Sequence, residues 1–497
     1  MIMRMKYLLH AFRLLILLVA SFDVQAQEMT MDDAIAMARL GSVQAKEAKQ
    51  SFISTYWAWR AYQASRLPSL SLYGNIGDFN RSLTLLQDPD DGHMMYVSTN
   101  NMQNSIGLKA RQNIPITGGT LYLYSDLNRV DQLGRGKQVT WYSQPVTISY
   151  TQPLFGFNQF KWDKLIEPKE FERGKRAYIE AMEDITLGTV SAWFTLLVAR
   201  EKRDLARINY INTSRMYKVA GERLKLGTVT MDEYLQLELR VLNDSLAINE
   251  NEIVIREAQM RLNTLLGLDE TSDIIPKLDE SLPALIMDYE FVLEKALSNS
   301  PFNLDNEISL LTARSNVERA KAERGISMSL SARFGLSKSG GTLSDAYRSP
   351  LDQEVFGMSF NIPIFDWGQG RGRVEKAKAA EEVIKAHVTQ NENDYRRKIF
   401  TAVGQFNNQR QQCTVSRKAA AIANERYVIV TERFKEGSAS VLELNNARSE
   451  NDSARMQYVS ALSNFWVYYY TLRKYTLYDF LRGEDIIIDD NEITHTR

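Results

Sequence analysis

The feature that most constrains this chain is a seven-residue segment that occurs twice. Residues 227–233 are Gly-Thr-Val-Thr-Met-Asp-Glu, and residues 437–443 are Gly-Ser-Ala-Ser-Val-Leu-Glu. A glycine suits the left-handed residue after a helix, and a hydroxyl residue with an acid three positions later forms a helix-starting capping box. Each copy is therefore predicted to be the tip of a helical hairpin. The residues concerned are Gly227, Thr230 and Glu233 in the first tip, and Gly437, Ser440 and Glu443 in the second.

The spacing around the two tips indicates a tandem duplication. Pro153 precedes Gly227 by 74 residues, and Pro363 precedes Gly437 by the same 74. An offset of 210 residues therefore relates the two arms without a gap, whereas an offset of 258 aligns the starts of the two halves. The offsets differ because 48 extra residues lie in the first half, between Leu72 and Pro153.

Residues 1–26 are typical of a secretory signal peptide. Basic residues precede the apolar run Leu14–Ala20, and Val24-Gln-Ala26 is a small-residue cleavage site. The apolar run is too short to span a bilayer. No later segment approaches 18 apolar residues, so we expect any membrane-spanning part of the exported chain to be a β-barrel. Acids and bases are mixed and the formal net charge is −1, so nothing indicates binding of nucleic acid.

Three parts follow the signal peptide: repeat 1 at 27–280, repeat 2 at 281–480 and a C-terminal tail at 481–497. Each repeat is predicted to contain, in order, a helix, alternating strands and a helical hairpin. In repeat 1 these are 30–65, 69–156 and 168–267, and in repeat 2 they are 288–323, 326–366 and 371–478. Pro168 suits the first turn of its helix.

An additional strand pair at about 105–128 has no counterpart in the second half. In an exported chain that spans a membrane as a β-barrel, the segment that contains it, 73–145, would be either an extracellular hairpin or a source of additional barrel strands. The extracellular hairpin is the favoured interpretation.

The helix after the first tip carries a heptad pattern. Leu239, Leu246, Ile253 and Met260 are seven residues apart, with Leu235 and Leu242 between them. This period predicts a coiled coil with a neighbouring helix. A helix of 60 to 65 residues is about 95 Å long, which no ordinary globular core matches. We therefore expect an elongated, oligomeric molecule.

Two groups of aromatic residues allow more than one interpretation. The run Phe465–Tyr470 fits a helix core better than a binding surface, and Leu462, Phe465, Tyr469 and Leu472 mark the last helical seam. Aromatic residues near strand ends fit either interfacial girdles or packing between barrel and helices. They are Tyr73, Tyr122, Tyr124, Tyr150, Phe155, Phe157, Phe334 and Phe360.

Together these features resemble the TolC-type outer-membrane efflux proteins, and the resemblance covers essentially all of the chain after the signal peptide. Residues 223–236 resemble the family's first tip, residues 433–446 its second, and Leu262-Asn-Thr-Leu-Leu-Gly267 the end of its first half. The resemblance implies a mixed α and β membrane protein that is internally duplicated and homotrimeric. Each protomer would give four strands to a 12-stranded β-barrel that is continuous with a long coiled-coil α-helical barrel in the periplasm.

The same resemblance implies a function and its partners. The protein would be the outer-membrane exit channel of a tripartite efflux or secretion system in a Gram-negative cell, in contact with outer-membrane lipid. It would be a passive conduit, opened when a periplasmic adaptor protein and an inner-membrane transporter dock. The alternative is a non-conducting exported coiled-coil scaffold or adhesin.

In the family an acidic pair spaced by three often forms a periplasmic gate at the second tip. The matching residues are Glu443 and Asn446, of which only one is acidic, so a double ring of carboxylates is not expected. A ring of Glu443 side chains would still attract cations. Helix capping is the favoured explanation of Glu443, because Glu233 has the same place in the first tip.

Four basic residues lie in the last helical turn before the two tips: Arg223, Lys225, Arg433 and Lys435. Favourable pairing with the helix dipole explains them most simply. The functional alternative is contact with the adaptor, which the resemblance places at these tips.

Catalysis is not expected. The histidines after the signal peptide, His93, His387 and His495, fall in a predicted loop, a helix and the tail. No metal-ligand spacing, nucleophile motif or cofactor motif is evident, and Gly368-Gln-Gly-Arg-Gly372 lacks the Lys-Ser/Thr of a phosphate-binding loop.

Overall fold

The computed structural model describes residues 27–87, 92–133, 137–488 and 493. The predicted signal peptide and most of the tail after residue 488 lie outside the described residues. The chain forms two compact units. One contains the residues up to Ile53, Gly174–Asn303 and the residues from Glu392 onward, and the other contains Ser54–Arg173 and Leu304–Asn391.

Helices account for most of the described chain. They are α1 Met31–Gly41, α2 Val43–Ser65, α3 Gln159–Lys225, α4 Met231–Leu266, α5 Tyr289–Asn299, α6 Phe302–Arg324, α7 Leu343–Tyr347, α8 Gln369–Glu436 and α9 Val441–Thr476. The strands are β1 Gln27–Met29, β2 Ser69–Gln87, β3 Met94–Ile114, β4 Gly119–Gln132, β5 Gln138–Pro153, β6 Ile274–Pro276, β7 Ser327–Gly340, β8 Leu351–Asn361, β9 Tyr478–Asp479 and β10 Glu484–Asp485.

The single helices predicted at 30–65 and 288–323 are each two helices, so these predictions were wrong at one point. The first is interrupted at Ser42 and the second at Ser300, both in extended conformation. The Ser42 hydroxyl accepts a hydrogen bond from the N–H of Ala45 at 3.0 Å, which caps the start of α2. Ser300 precedes Pro301, and a residue before proline disfavours the helical conformation.

The two long helices begin earlier than predicted, and Pro168 lies inside α3 rather than in its first turn. The reason is capping upstream of the proline. The Asn158 side chain accepts a hydrogen bond from the N–H of Lys161 at 3.2 Å, which starts α3 nine residues before Pro168. Asp366 likewise accepts from Gly368 at 2.9 Å and Gly370 at 2.7 Å at the start of α8.

The helical unit has a core to which α3, α4, α8 and α9 contribute. Trp193 and Phe194 of α3, Leu262 of α4 and Phe406 of α8 are buried in it. The predicted seam of α9 is confirmed, because Leu462, Phe465, Tyr469 and Leu472 are 0% exposed. The run Phe465–Tyr470 therefore belongs to the core, as expected, and not to a binding surface.

The heptad stripe of α4 faces away from this core. Leu239, Leu246, Ile253 and Met260 are between 47 and 64% exposed. The opposite side of α4, which includes Leu237 and Leu262, is the buried one. Within the described chain, the stripe is thus an apolar surface that the protein's own helices leave uncovered.

The second unit contains a six-stranded antiparallel sheet in the order β2-β3-β4-β5-β7-β8. Strands β3 and β4 pair continuously from Asn101–Gln132 to Ile114–Gly119. The extra segment therefore supplies two full sheet strands, and the favoured extracellular hairpin was wrong, as was the expected share of four strands per chain. The β3–β4 hairpin itself was predicted, but the repeat pattern offered no template for its pairing with β2 on one side and β5 on the other.

The two faces of the sheet differ in polarity, as the strand register shows. One row across five strands is Leu70, Ala110, Leu123, Ile148 and Phe334. The leucine, isoleucine and phenylalanine side chains of this row are exposed, so this part of the face is apolar and uncovered within the described chain, while Arg81, Lys338 and Glu354 lie elsewhere on the same face.

The opposite face is polar. One of its rows consists of Arg111, Tyr122, Ser149 and Arg333. The aromatic residues divide between the faces: Tyr73, Tyr122 and Tyr124 share the polar face, while Tyr150, Phe334 and Phe360 share the apolar one.

Among the described helices, none is both long and apolar enough to cross a membrane.

Candidate functional site at the two helical tips

The first tip has the predicted local geometry. Gly227 is left-handed, with φ 72°, and the N–H of Thr228 donates to the Arg223 carbonyl at 3.0 Å, which closes the end of α3. The N–H of Glu233 donates to the Thr230 hydroxyl at 3.2 Å, and the Glu233 carboxylate accepts from the N–H of Thr230 at 2.9 Å. This reciprocal pair starts α4.

The second tip has the same geometry. Gly437 has φ 87°, and Ser440 and Glu443 form the capping box at 3.2 and 2.8 Å. The hydrogen bond from the Ser440 N–H, then that from its hydroxyl, and then the Arg433 charge lower the pKa of Glu443. Glu443 is thus a charged cap in this chain, while Asn446 lies exposed one turn further along α9.

Arg223 joins the two tips. Its guanidinium donates to the carbonyls of Phe434 at 3.1 Å and Lys435 at 3.2 Å, and lies 5.8 Å from the centre of the Phe434 ring. These carbonyls end α8, so Arg223 complements the dipole of the other long helix. The left-handed φ of Gly437 favours glycine, and a Cβ there would lie 2.6 Å from the Arg223 guanidinium, so a larger residue would also displace the end of the arginine.

The other basic residues of the tips have local partners. Arg433 donates to the Ser438 carbonyl at 3.0 Å, and Lys435 pairs with Glu432 at 2.6 Å. Lys225 pairs with Glu222 at 2.9 Å, and the Glu222 carboxylate raises the pKa of Lys225. Both lysines remain largely exposed, so each can also meet a partner protein.

An apolar cluster lies between the hairpins behind the tips. It is closed by Tyr217 and Tyr234, whose rings stack at 4.7 Å and whose hydroxyls are 2.6 Å apart. Because residues from both hairpins share this cluster, the tips form one packed body. Its buried members are Met216, Ala220, Leu237, Val430, Phe434, Val441, Leu444 and Ala447.

Sequence reasoning missed a buried ion pair behind this cluster. Arg448 of α9 donates to both carboxylate oxygens of Asp244 of α4, at 3.0 and 2.6 Å, and to the Thr213 hydroxyl of α3 at 3.0 Å. The arginine and aspartate side chains are 8% and 7% exposed. One signal was present in the sequence: the charged Arg448 directly follows Ala447 and lies four positions after Leu444, both of which are buried in α9.

A second polar bridge continues from this pair. Asn209 of α3 donates to Asp452 of α9 at 2.7 Å. Burial raises the pKa of Asp452, against the opposing effects of the Asn209 hydrogen bond and the Arg448 charge. The two hairpins are therefore held together by specific polar contacts as well as by apolar packing.

The described residues contain no group of three or more His, Cys, Asp or Glu side chains placed to hold a metal ion.

Comparisons with known proteins agree with the fold. The family model described as outer membrane efflux protein matches residues 292–476. A search of curated proteins finds no match. Among solved structures, the CmeC outer membrane channel of Campylobacter jejuni is similar over 93% of this chain and 88% of its own, with a TM-score of 0.66 and 16% identity.

Two further structures show the same fold. The outer membrane protein VceC of Vibrio cholerae has a TM-score of 0.61 at 14% identity, over 92% of this chain and 96% of its own. The open-state MtrE outer membrane channel of Neisseria gonorrhoeae has a TM-score of 0.55 at 15% identity, over 90% and 88%. The family model over residues 292–476 and these structural matches over nine-tenths of the chain confirm the resemblance to outer-membrane efflux proteins that was drawn from the sequence.

Proposed function

We propose that this protein is the outer-membrane exit channel of a tripartite efflux or secretion system. The observation that carries the proposal is the two-sided sheet, with an exposed apolar face and an opposite face of charged and hydroxyl-bearing residues. This is the pattern of a membrane barrel, in which outward side chains meet lipid and inward side chains meet water. The apolar face would thus be the contact with outer-membrane lipid.

The sheet requires partners at its two edges. Strands β2 and β8 are the outer members of the six-stranded order, and unpaired backbone groups are not tolerated in lipid. Copies of the same chain satisfy both edges when β2 of one protomer pairs with β8 of the next. In a homotrimer, three six-stranded sheets close a barrel of eighteen strands in place of the twelve that the family resemblance implied.

The exposed heptad stripe of α4 supports the same assembly. Stripes such as Leu239, Leu246 and Ile253 are stable when a neighbouring helix covers them. Helices of adjacent protomers would provide that cover and form the coiled-coil helical barrel in the periplasm.

We also propose that the chain is an internal duplication. Helices α3 and α4 begin at Gln159 and Met231, and α8 and α9 begin 210 residues later at Gln369 and Val441. Helix α1, Met31–Gly41, and helix α5, Tyr289–Asn299, are likewise 258 residues apart.

The tips are proposed as the gate and the docking point for a periplasmic adaptor protein and an inner-membrane transporter. The exposed residues Glu443 and Asn446 would face the channel axis, with Glu233 capping the first tip. Adaptor contact would fall on Lys225, Lys435 and the turns at 227–230 and 437–440. Arg223 and Arg433 would act mainly by holding these turns in shape, because their guanidinium groups bond to tip carbonyls.

In this proposal the protein is a passive conduit in the outer membrane of a Gram-negative cell, and its partners supply the opening. The alternative, a non-conducting exported scaffold or adhesin, offers no explanation for an exposed apolar sheet face opposite a polar one.

Planar-bilayer recording of the purified, detergent-extracted protein tests the proposal. We expect a trimer that migrates differently in gels with and without heating and that gives discrete conductance steps. A protein that is monomeric and freely soluble without detergent would exclude the channel. A Glu443→Ala variant should shift the reversal potential in a salt gradient towards the anion side, and an unchanged reversal potential would remove Glu443 from the gate.

A further inference from the structure

We infer that the polar face of the sheet carries an anion-selective belt, formed by Lys109, Arg111 and Arg333, so that the channel favours cargo bearing carboxylate or phosphate groups. This inference rests on the proposed function, because it requires the polar face to line the conduit.

The strand register places the three cations close together. Arg111 and Arg333 lie in one row, separated by Tyr122 and Ser149 on the strands between them. Three strand spacings of about 4.8 Å put their backbones roughly 14 Å apart. Lys109 faces Tyr124 in the next row, two residues along β3. Each protomer therefore contributes a compact basic band, and closure of the barrel makes the band continuous around the lumen.

Acidic residues do not cancel this band. On the polar face of the described strands, the nearest acid is Asp126, which accepts a hydrogen bond from the Tyr73 hydroxyl. The other is Asp78, which faces Gln103 and lies two rows further from the cations than Asp126. The three cations therefore have one carboxylate, that of Asp126, in a neighbouring row of the polar face.

The basic groups remain available to a passing anion. Arg111 and Arg333 are exposed, and the Arg111 guanidinium donates a hydrogen bond to the neutral side chain of Asn113 at 3.2 Å. The Lys109 ammonium lies 5.2 Å from the centre of the Tyr73 ring, in a cation–π contact. Guanidinium groups bind carboxylates and phosphates through paired hydrogen bonds, and rings of Arg or Lys select anions in pores.

The test is the reversal potential of the reconstituted channel in a tenfold KCl gradient. The variants are R111Q/R333Q, the triple variant K109Q/R111Q/R333Q, and a matched control, R81Q/K338Q. The control removes two cations whose register places them on the other face of the same sheet, opposite Asn100 and Ser143. Every variant is also made in a Glu443→Ala background, which removes a carboxylate that would favour cations.

We expect the Glu443→Ala channel with all three basic residues intact to have a reversal potential on the anion-selective side. The double variant should move the potential towards zero, the triple variant should move it to the cation side, and the control should leave it in place. The difference in reversal potential between these variants should be smaller in 1 M than in 0.1 M salt, because the screening length falls from about 10 Å to about 3 Å. Inorganic pyrophosphate should reduce the KCl conductance of wild type and spare the triple variant.

A triple variant that conducts as a trimer with the wild-type reversal potential would overturn the belt and leave the channel standing. A pyrophosphate response that is equal in wild type and the triple variant would also count against it. A wild-type protein that does not conduct at all would overturn the proposed function itself.

Discussion

Replacing Arg448 with methionine should loosen the hairpin tips far more than replacing an exposed arginine that bridges the hairpins. The Arg448 guanidinium makes two hydrogen bonds to Asp244 and a third to Thr213, all between side chains that are almost completely buried. Removing one partner of such a pair costs about 3–5 kcal/mol, because the remaining charge stays buried without its counter-charge. Asp244 would keep only the Thr213 hydroxyl, at 2.8 Å.

The assay is hydrogen–deuterium exchange of the full protein in detergent, followed at the backbone amides of α3 and α9 around residues 213 and 448. At about 1.4 kcal/mol per factor of ten, the expected loss corresponds to exchange faster by on the order of 10²- to 10³-fold. Asp244→Leu should have a similar effect. The double variant Arg448→Met/Asp244→Leu should cost less than either single change, because two apolar side chains can replace a buried ion pair at little cost.

Arg455→Met is the matched control. Arg455 also joins α9 to α3, through Glu201 at 3.0 and 2.7 Å, but the pair is 54% and 28% exposed. An exposed pair contributes about 0–1 kcal/mol, so exchange should change by less than roughly tenfold. The reasoning fails if Arg448→Met and Arg455→Met behave alike, or if the double variant costs as much as the two single changes together.

Four other predictions have defined outcomes. Ser440→Ala should destabilise the start of α9 by roughly 1 kcal/mol through loss of its cap, and normal amide protection there would contradict the capping assignment. The pKa of Glu443 is lower in the folded than in the unfolded chain, so its cap should stabilise the second tip above the unfolded carboxyl pKa and weaken as the pH falls through the folded pKa. Glu443→Gln should remove this pH dependence from the amide exchange rates at the tip. Leu246→Glu with Ile253→Glu should convert the proposed homotrimer to monomers in light scattering, since it charges an uncovered apolar stripe. A variant that stayed trimeric would place the subunit contact elsewhere. Cys413 is buried and its pKa is raised to about 11 by burial, so iodoacetamide should label it only after unfolding; fast native labelling would show that α8 opens.

The parts of the fold that the sequence predicted well are those set by neighbouring residues. The tips at Gly227 and Gly437 depend on a glycine, a hydroxyl residue and an acid within seven positions, and the structure contains both capping boxes. The break at Ser42 is also local, but a serine inside a helical pattern does not reveal by itself that its hydroxyl caps a new helix.

Contacts between distant residues could not be predicted in this way. Arg448 and Asp244 are 204 residues apart, and nothing around either residue indicates the other as its partner. The pairing of β3 with β4 was predicted, but the insertion of this pair into the sheet between β2 and β5 was missed, because a segment without a counterpart in the other half suggested a protruding hairpin. In both cases the deciding energy comes from tertiary packing, which local patterns do not encode.

The two additional strands, β3 and β4, affect which molecules could pass through the proposed channel. Barrel diameter grows roughly in proportion to the number of strands, so eighteen strands would give a bore about one and a half times that of twelve. The barrel would then be too wide to restrict bulky molecules by size. Selection at the proposed barrel would then depend on the charge of a molecule rather than on its size.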